Sequence, residues 1–481
     1  MQRAQLIGAD MTGNEDEKTL AQVIEQHEWQ IYITLIGFML LIAIYTLPIP
    51  VIEELSSDKR AALGILVLAA LLWITESIPL YATSMIIIIS QVVMISQDTL
   101  SANEILAPFF NTIIALFLGG FVLATALSKY NVDDKLAKLI LKSVGKSPKM
   151  IMFGLMFITA FLSMWMSNTA TTALMIALAV PIYTQIPKEE TFSKAMILGI
   201  PFAANIGGMA TPIGTPPNAI IIETLGREGF SLTFLDWMII ALPLTIIMFL
   251  FAYFLLYYAF KPTIKELDID LGNKTSKGFS RNQLFVLVVF IITVVLWLGS
   301  SFELVGSLFQ SAGIIALIPA VVFFSSGLLG KKDLADLNWN VLLLMGGGMS
   351  LGNAIGATGL AGWIVSLIEQ YPMGMILVVL VFSSLAIILS SFMSNTATAA
   401  LLAPIMIVIG MDLGSSISVM ASIALACSMA MALPVSTPPN AIAYGTEMIN
   451  IKDMIKYGAL ISIVGVILLT ILFGVLMVDI F

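Results

Sequence analysis

Serine, asparagine and threonine stand consecutively twice in this chain, as Ser167-Asn168-Thr169 and Ser394-Asn395-Thr396, each time inside otherwise apolar sequence. Their hydroxyl and amide oxygens suit hard cations, and the amide nitrogen can donate to a carboxylate. Both tripeptides lie in a longer repeated string. Residues 163–174 read S-M-W-M-S-N-T-A-T-T-A-L and residues 390–401 read S-S-F-M-S-N-T-A-T-A-A-L, offset by 227 with nine of twelve positions identical. A second pair follows: residues 209–220 read M-A-T-P-I-G-T-P-P-N-A-I and residues 431–442 read M-A-L-P-V-S-T-P-P-N-A-I. The chain is an internal duplication. A lone Ser or Thr in an apolar helix usually bonds its own i−4 carbonyl; an asparagine beside it, in two matching copies, is not explained that way.

The paired prolines of each T-P-P-N remove two backbone donors and bar the helix from continuing, so the apolar runs that contain them must break. A broken helix frees carbonyls for a small cation and N-terminal N–H groups for an anion. The chain's arginines, Arg3, Arg60, Arg227 and Arg281, are expected in the tail or in loops, and no lysine interrupts the motif segments. A site without a fixed cation could not hold a dianion tightly, because desolvating the charge is costly. A bound metal ion would have to compensate, and oxygen ligands without a carboxylate cage favour Na⁺ over Ca²⁺.

These residues need elements that bring them into a membrane. With 59% hydrophobic and 11% charged residues and a mean hydropathy of +1.01, the 481-residue chain has too little polar surface for a soluble domain. It reads as an all-α polytopic membrane protein, with apolar runs such as 32–49, 61–78, 237–260 and 461–478 near the ~20 residues a span requires. The acidic tail before the first run argues for a retained span, not a cleaved leader. One cysteine, Cys427, leaves no intrachain disulfide or CxxC site, and the one histidine, His27, leaves no Ser-His protease and reads as a solvated tail residue. The net charge of −8 opposes nucleic-acid binding.

Lysines flank the first S-N-T segment on both sides and are absent around the second, so the positive-inside rule sends the two segments in from opposite faces. That is an inverted repeat, an architecture of secondary transporters. The expected order is a polar cytoplasmic tail (1–28), an N-terminal span and loop (29–60), repeat 1 (61–260) and repeat 2 (283–481), joined by a cytoplasmic linker (261–282). Repeat 1 carries a hairpin at 150–187 and a broken helix at 211–218; repeat 2 carries a hairpin at 373–410 and a broken helix at 434–440. Five spans plus a hairpin per repeat put the N-terminus inside and the C-terminus outside the cell (cytoplasmic or inner) membrane. Lys59 and Arg60 resist this count, since they fall on the outer side. S-N-T favours caps and turns, so it should form a hairpin tip, re-entrant or fully crossing. Residues 133–146 place Leu136, Leu139 and Ile140 opposite Lys135, Lys138 and Lys142, which suits either an interfacial helix on the inner leaflet or an amphipathic helix against protein.

From residue 61 to the end, the paired S-N-T hairpins with paired T-P breaks resemble the divalent anion/sodium symporter family of sodium-coupled dicarboxylate, citrate and sulfate transporters. The resemblance implies a homodimer in which a transport domain of hairpins and broken helices slides through a scaffold as an elevator. It implies Asn168, Thr169, Asn395 and Thr396 as contacts to substrate carboxylates, with Thr215, Pro216, Thr437 and Pro438 at the broken-helix ends beside them. By the same resemblance Ser163, Ser167, Asn168 and Gly214 form one sodium site, and Ser390, Ser394, Asn395 and Thr437 its counterpart. The expected function is sodium-driven import of C4 dicarboxylates such as succinate. The alternatives are a sodium-independent dicarboxylate exchanger or a citrate or sulfate symporter on the same fold. An anion channel fits the paired cation-type sites poorly, and an enzyme would need a nucleophile and base that the sequence does not present.

Overall fold

The computed structural model describes residues 28–183, 186–187, 190–267, 278–368 and 373–477. The polar tail with His27, Lys188, much of the linker and residues 478–481 fall outside the described residues. All regular elements among those described are helical. Seven helices are long and apolar enough to cross a bilayer, or nine if each of two bent pairs is one span. The protein is an all-helical polytopic membrane protein.

After Glu28–Thr46, one succession of elements occurs twice. It first runs through Ser57–Thr75, Leu80–Met94, Thr112–Lys129 and the short Val132–Ser143, then a hairpin of Pro148–Ser163 and Asn168–Tyr183. A helix interrupted between Phe192–Gly208 and Pro216–Arg227 follows, and Phe234–Ala259 closes the set. The second passage runs through Arg281–Gly299, Ala312–Ser325, Trp339–Ala357 and Leu360–Ile368, then a hairpin of Met375–Phe392 and Asn395–Asp412. Its interrupted helix comprises Ser416–Cys427 and Pro438–Gly445, and Ile451–Ile471 ends it. Left-handed residues start the short helix in both: Asn131 (φ 53°) precedes Val132, and Gly359 (φ 72°) precedes Leu360. Packing is reciprocal. Thr112–Lys129 lies on Ala312–Ser325 as Leu80–Met94 lies on Trp339–Ala357, and each half-helix after T-P-P packs on the other passage's second hairpin limb.

Helix ends differ from the expected spans where local chemistry intervenes. The run 61–78 stops at Thr75, because Glu76 is left-handed (φ 47°) and Pro79 follows. Limbs of 16 residues in the first hairpin reach about 24 Å at ~1.5 Å per residue, short of the ~30 Å hydrocarbon core.

The basic segments gather at one end. Lys129 pairs with Asp333 at 2.7 Å and Lys194 with Asp453 at 2.8 Å, while Leu267 N–H donates to the Lys146 carbonyl and the Glu190 carboxylate accepts from Thr263 N–H and Oγ1. The opposite end carries Asp58, which accepts from Ser96 N–H and Thr99 Oγ1. Arg60 belongs to that end, in the first turn of its helix and not in a loop. Its guanidinium donates to the carbonyls of Leu47, Ile52 and Glu53 at 3.1–3.2 Å, so its charge caps a tight connection, which accounts for one of the two cations, Lys59 and Arg60, away from the other basic segments. Arg227 and Arg281 are likewise terminal helix residues, a correction to their expected place in loops.

The amphipathic helix Val132–Ser143 also differs from the expected pattern. Its buried stripe is Val132, Asp133, Ala137 and Leu141, packed on the first hairpin limb, whereas Leu136 and Ile140 are half-buried and Leu139 is exposed. Three stripes share this helix, and the buried one faces protein.

Candidate functional site

In the first hairpin, Trp165 and Met166 N–H both return to the Leu162 carbonyl and close the tip. Ser167 then acts as a cap, its Oγ accepting from Ala170 N–H at 3.2 Å. Asn168 opens the second limb, and Ser163 Oγ donates to its Oδ1 at 2.5 Å. The break of the first interrupted helix closes onto this pair. A Cβ on Gly208 would come within 2.6 Å of Asn168 Oδ1, and one on Gly214 within 2.4 Å of the Gly208 carbonyl oxygen. Ser163, Asn168 and Gly214 of the expected cation set therefore meet around Gly208, where only glycine lets backbone and amide approach so closely. Thr211 ties tip to break: its Oγ1 donates to the Met164 carbonyl at 2.5 Å and accepts from Gly214 N–H at 3.1 Å.

The second copy keeps the scaffold and changes the bonding. Ser394 Oγ caps Ala397 N–H at 3.1 Å, as Ser167 caps Ala170. Ser390 is fully buried with its hydroxyl against the weakly bonding Cys427 thiol, and Asn395 Oδ1 has no protein partner. Ser436 replaces Gly214 and joins break to limb through the Ser391 carbonyl at 3.4 Å. Thr437 Oγ1 accepts from Asn440 N–H at 3.4 Å and from Asn205 Nδ2 at 3.2 Å.

Each T-P-P-N asparagine holds its own break together. Asn218 Nδ2 donates to the carbonyls of Gly208, Met209 and Thr211 at 2.8–3.2 Å, and Asn440 Nδ2 to those of Met431 and Leu433 at 3.0–3.1 Å. Several carbonyls freed by the prolines are thus already engaged from within, a departure from the expectation that the break leaves them open. Trp237 Nε1 also takes the Met209 carbonyl.

Of the expected substrate contacts, Thr169 and Pro438 are exposed, Pro216 is half-buried, and Thr215, Thr396 and Thr437 are buried. Both hairpins border a cavity. Asn395–Asp412 meets Trp339–Ala357 closely at Ala400 and Gly348, with about 300 Å³ open between Gly352, Asn353, Pro404 and Ile407, and a cavity of about 310 Å³ separates the first tip from Thr112–Lys129. Its walls include Thr125, Ser128 and Lys129 on one side and Ser167 and Ala170 on the other, so it opens toward the lysine-bearing end. At the opposite end Arg227 pairs with Glu223 at 3.2 Å, donates to the Met349 carbonyl at 2.9 Å and contacts Asn353; Asn111 Nδ2 donates to Glu223 at 2.8 Å. That cation is already neutralised.

The donor set fits a hard monovalent ion. A buried amide oxygen without a partner is costly, and a cation at Asn395 Oδ1 would satisfy it. Among the described residues, no group of three or more His, Cys, Asp or Glu could hold a more demanding metal.

Comparison with known proteins agrees with this architecture. Residues 26–479 match the family described as the sodium:sulfate symporter transmembrane region. The chain belongs to this family. The resemblance carried by S-N-T and T-P-P-N is thereby borne out, and the protein is a transporter, not an enzyme. A sodium-dependent dicarboxylate transporter, SdcS, of Staphylococcus saprophyticus is 34% identical over 472 residues, covering 90% of each chain. Its namesake in Staphylococcus aureus is 31% identical over 447 residues, 84% of each. An uncharacterized transporter of Schizosaccharomyces pombe is 33% identical over 455 residues, which are 90% of this chain and 51% of that protein. Solved structures of the YdaH transporter of Alcanivorax borkumensis (TM-score 0.55, 14% identity, 93% and 97% covered) and of the efflux pump MtrF of Neisseria gonorrhoeae (TM-score 0.52, 14% identity, 82% and 84% covered) share the fold.

Sequence reasoning missed Asn205, Thr211, Ser436 and the structural duty of Asn218 and Asn440. Four of these lie inside the strings that repeat. Asn205, in the apolar run F-A-A-N-I-G-G, carried its own signal: a polar amide within a membrane-depth helix marks function by default.

Proposed function

We propose that the protein is a sodium-coupled symporter that imports C4 dicarboxylates such as succinate across the cell membrane. The observation that carries this reading is the buried, unpartnered Asn395 Oδ1 of the second tip, with the buried Ser390 hydroxyl that meets only a weakly bonding thiol, matched in the other repeat by Ser163 and Asn168 against Gly208. Two neutral oxygen pockets would each bind Na⁺, and the bound charges would offset the desolvation of a dianion. The amide nitrogens of Asn168 and Asn395, with Thr169 and Thr396, would meet the carboxylates, and the ends of the half-helices at Thr215-Pro216 and Thr437-Pro438 would add N-terminal dipoles. The SdcS relatives named for sodium-dependent dicarboxylate transport support the substrate and the ion.

The reading extends to movement. Reciprocal packing supports two repeats of opposite orientation, with the lysine-bearing end cytoplasmic, the N-terminus inside and the C-terminus outside. Hairpins and interrupted helices form the unit that slides as an elevator, and a homodimer supplies the fixed frame. The cavity beside Ser167 is then the inner approach to the site. Radiolabelled succinate uptake into proteoliposomes tests the function: uptake is expected with an inward Na⁺ gradient and not when K⁺ or choline replaces Na⁺. Uptake that persists without Na⁺ and needs internal dicarboxylate identifies an exchanger instead, and sulfate or citrate outcompeting succinate reassigns the substrate.

A further inference from the structure

Threonines in the helices of this protein ordinarily bond the carbonyl four residues earlier, as Thr34, Thr75, Thr125, Thr159, Thr245, Thr293 and Thr470 do. Four fully buried ones do not: Thr83, Thr398, which is the second-repeat counterpart of Thr171, and the adjacent pair Thr171 and Thr172. Both are fully buried in the second limb of the first hairpin, and neither hydroxyl has a partner. Asn205 is 1% exposed in the facing helix and its Oδ1 is also unpartnered. Its other arm is fixed, because Nδ2 donates to Thr437 Oγ1 at 3.2 Å and Asn440 Oδ1 at 3.4 Å, which turns Oδ1 away from the second repeat's break.

Helical register places the three residues within one turn of the contact between Asn168 and Gly208. Asn168–Tyr183 and Phe192–Gly208 are consecutive, packed helices joined by a short connection and therefore run antiparallel, with Gly208 against the Asn168 amide. One turn along from that contact, Thr171 and Thr172 straddle the Asn168 stripe at i+3 and i+4, and Asn205 stands at i−3 from Gly208. Pro438–Gly445 packs on both helices and closes the third side. None of the three oxygens bonds to another, as befits ligands held apart around an intervening ion.

We propose that Thr171 Oγ1, Thr172 Oγ1 and Asn205 Oδ1 form an additional site for a hard monovalent cation, of the Na⁺ class, one turn beyond the first S-N-T tip. Water completes its shell. The inference rests on the sodium-coupled reading and deepens it. The site occurs once, because the second repeat carries Ala399 where the first has Thr172 and Cys427 where the first has Asn205. One cation per repeat neutralises a dianion; this single additional cation leaves the loaded carrier with one net positive charge.

The test compares wild-type protein with a Thr171→Val, Thr172→Val double variant, with each single Val variant, and with a Thr171→Ser, Thr172→Ser variant that restores both hydroxyls. Valine matches threonine in shape, and removing hydroxyls that bond nothing leaves no new orphan, so folding should survive. Two measurements are made: Na⁺ ions and charge moved per succinate, from reversal potentials in proteoliposomes, and thermal protection by NaCl against choline chloride in detergent without substrate. The double Val variant is expected to move one Na⁺ and one charge fewer per succinate, and its half-protecting Na⁺ concentration should rise about tenfold, the loss of two ligands of neutral hydrogen-bond strength. The Ser variant should match wild type. If the Val variants keep wild-type coupling and protection, the oxygens hold a buried water and the site is overturned while the sodium-coupled reading stands. A wild-type protein indifferent to Na⁺ in both measurements overturns both. Should the double variant fail to fold, the single variants give the same decision.

Discussion

Asn205 Nδ2 donates to Thr437 Oγ1 at 3.2 Å, fastening the continuous part of one interrupted helix to the break of the other across 232 residues of sequence. The bond lies in a buried layer where water does not compete. It makes the two repeats one mechanical unit at the level of the tips, because the same amide also reaches Asn440, the residue that holds the second break.

Removing that amide should therefore loosen the unit. Asn205→Ala leaves Thr437 and Asn440 without their shared donor, at an expected cost of about 1–3 kcal/mol. A clear drop in melting temperature in detergent is the expected result; an unchanged melting temperature would show that the bond contributes nothing net.

The hairpin asparagines should separate cation from anion. Asn168→Asp keeps the oxygen that Ser163 approaches but loses the donor and adds a negative charge; Asn395→Asp does the same in the second copy. Either variant should fold and retain thermal protection by NaCl, yet lose succinate uptake and succinate's own protection. Normal succinate transport by either one removes that residue from the site.

Glycine spacing around the first pocket gives a graded test. A Cβ on Gly207 would lie 2.2 Å from the Ala160 carbonyl oxygen and one on Gly214 2.4 Å from that of Gly208, both rigid backbone, whereas nothing lies within 4 Å of a Cβ on Gly226. Gly207→Ala and Gly214→Ala should destabilise by about 1–3 kcal/mol through overpacking. Gly226→Ala should be neutral or gain up to about 1 kcal/mol from helix propensity. Equal melting temperatures for all three would contradict the close approach of break and hairpin.

Cation and substrate should bind as partners. Without Na⁺ the tips present orphan oxygens and no fixed positive charge, so succinate should raise the melting temperature in NaCl and hardly at all in choline chloride, with Li⁺ a partial substitute. Linkage makes this reciprocal, and at 100 times the dissociation constant the protection amounts to about 2.7 kcal/mol. Equal protection in both salts would favour the exchanger.

Net charge should couple uptake to voltage. Each net positive charge moved inward contributes about 2.3 kcal/mol per 100 mV, so uptake should quicken when valinomycin sets the interior negative. Indifference to the imposed potential would point to neutral coupling.

Much of this was legible in the residues alone, because it rests on properties each residue carries wherever it sits. Proline lacks an N–H, so T-P-P-N had to interrupt its helix; serine and asparagine cap, so S-N-T had to start a limb; apolar runs without charge had to be spans. Contacts between distant segments were not legible in this way. Thr211 closes on Met164 from 47 residues away, and Arg60 is spent on three carbonyls of a folded connection. The buried stripe of Val132–Ser143 follows from which helices surround it, not from its own periodicity. The two pockets, nearly identical as strings, also differ in bonding. Ser163 reaches Asn168 in one, whereas in the other Ser390 meets the Cys427 thiol, which stands where the first repeat has Asn205, and Asn395 Oδ1 stays unpartnered. Helix starts and breaks follow from covalent structure over a few residues. Which oxygens end up with partners is decided by packing between elements, and only the folded chain fixes that.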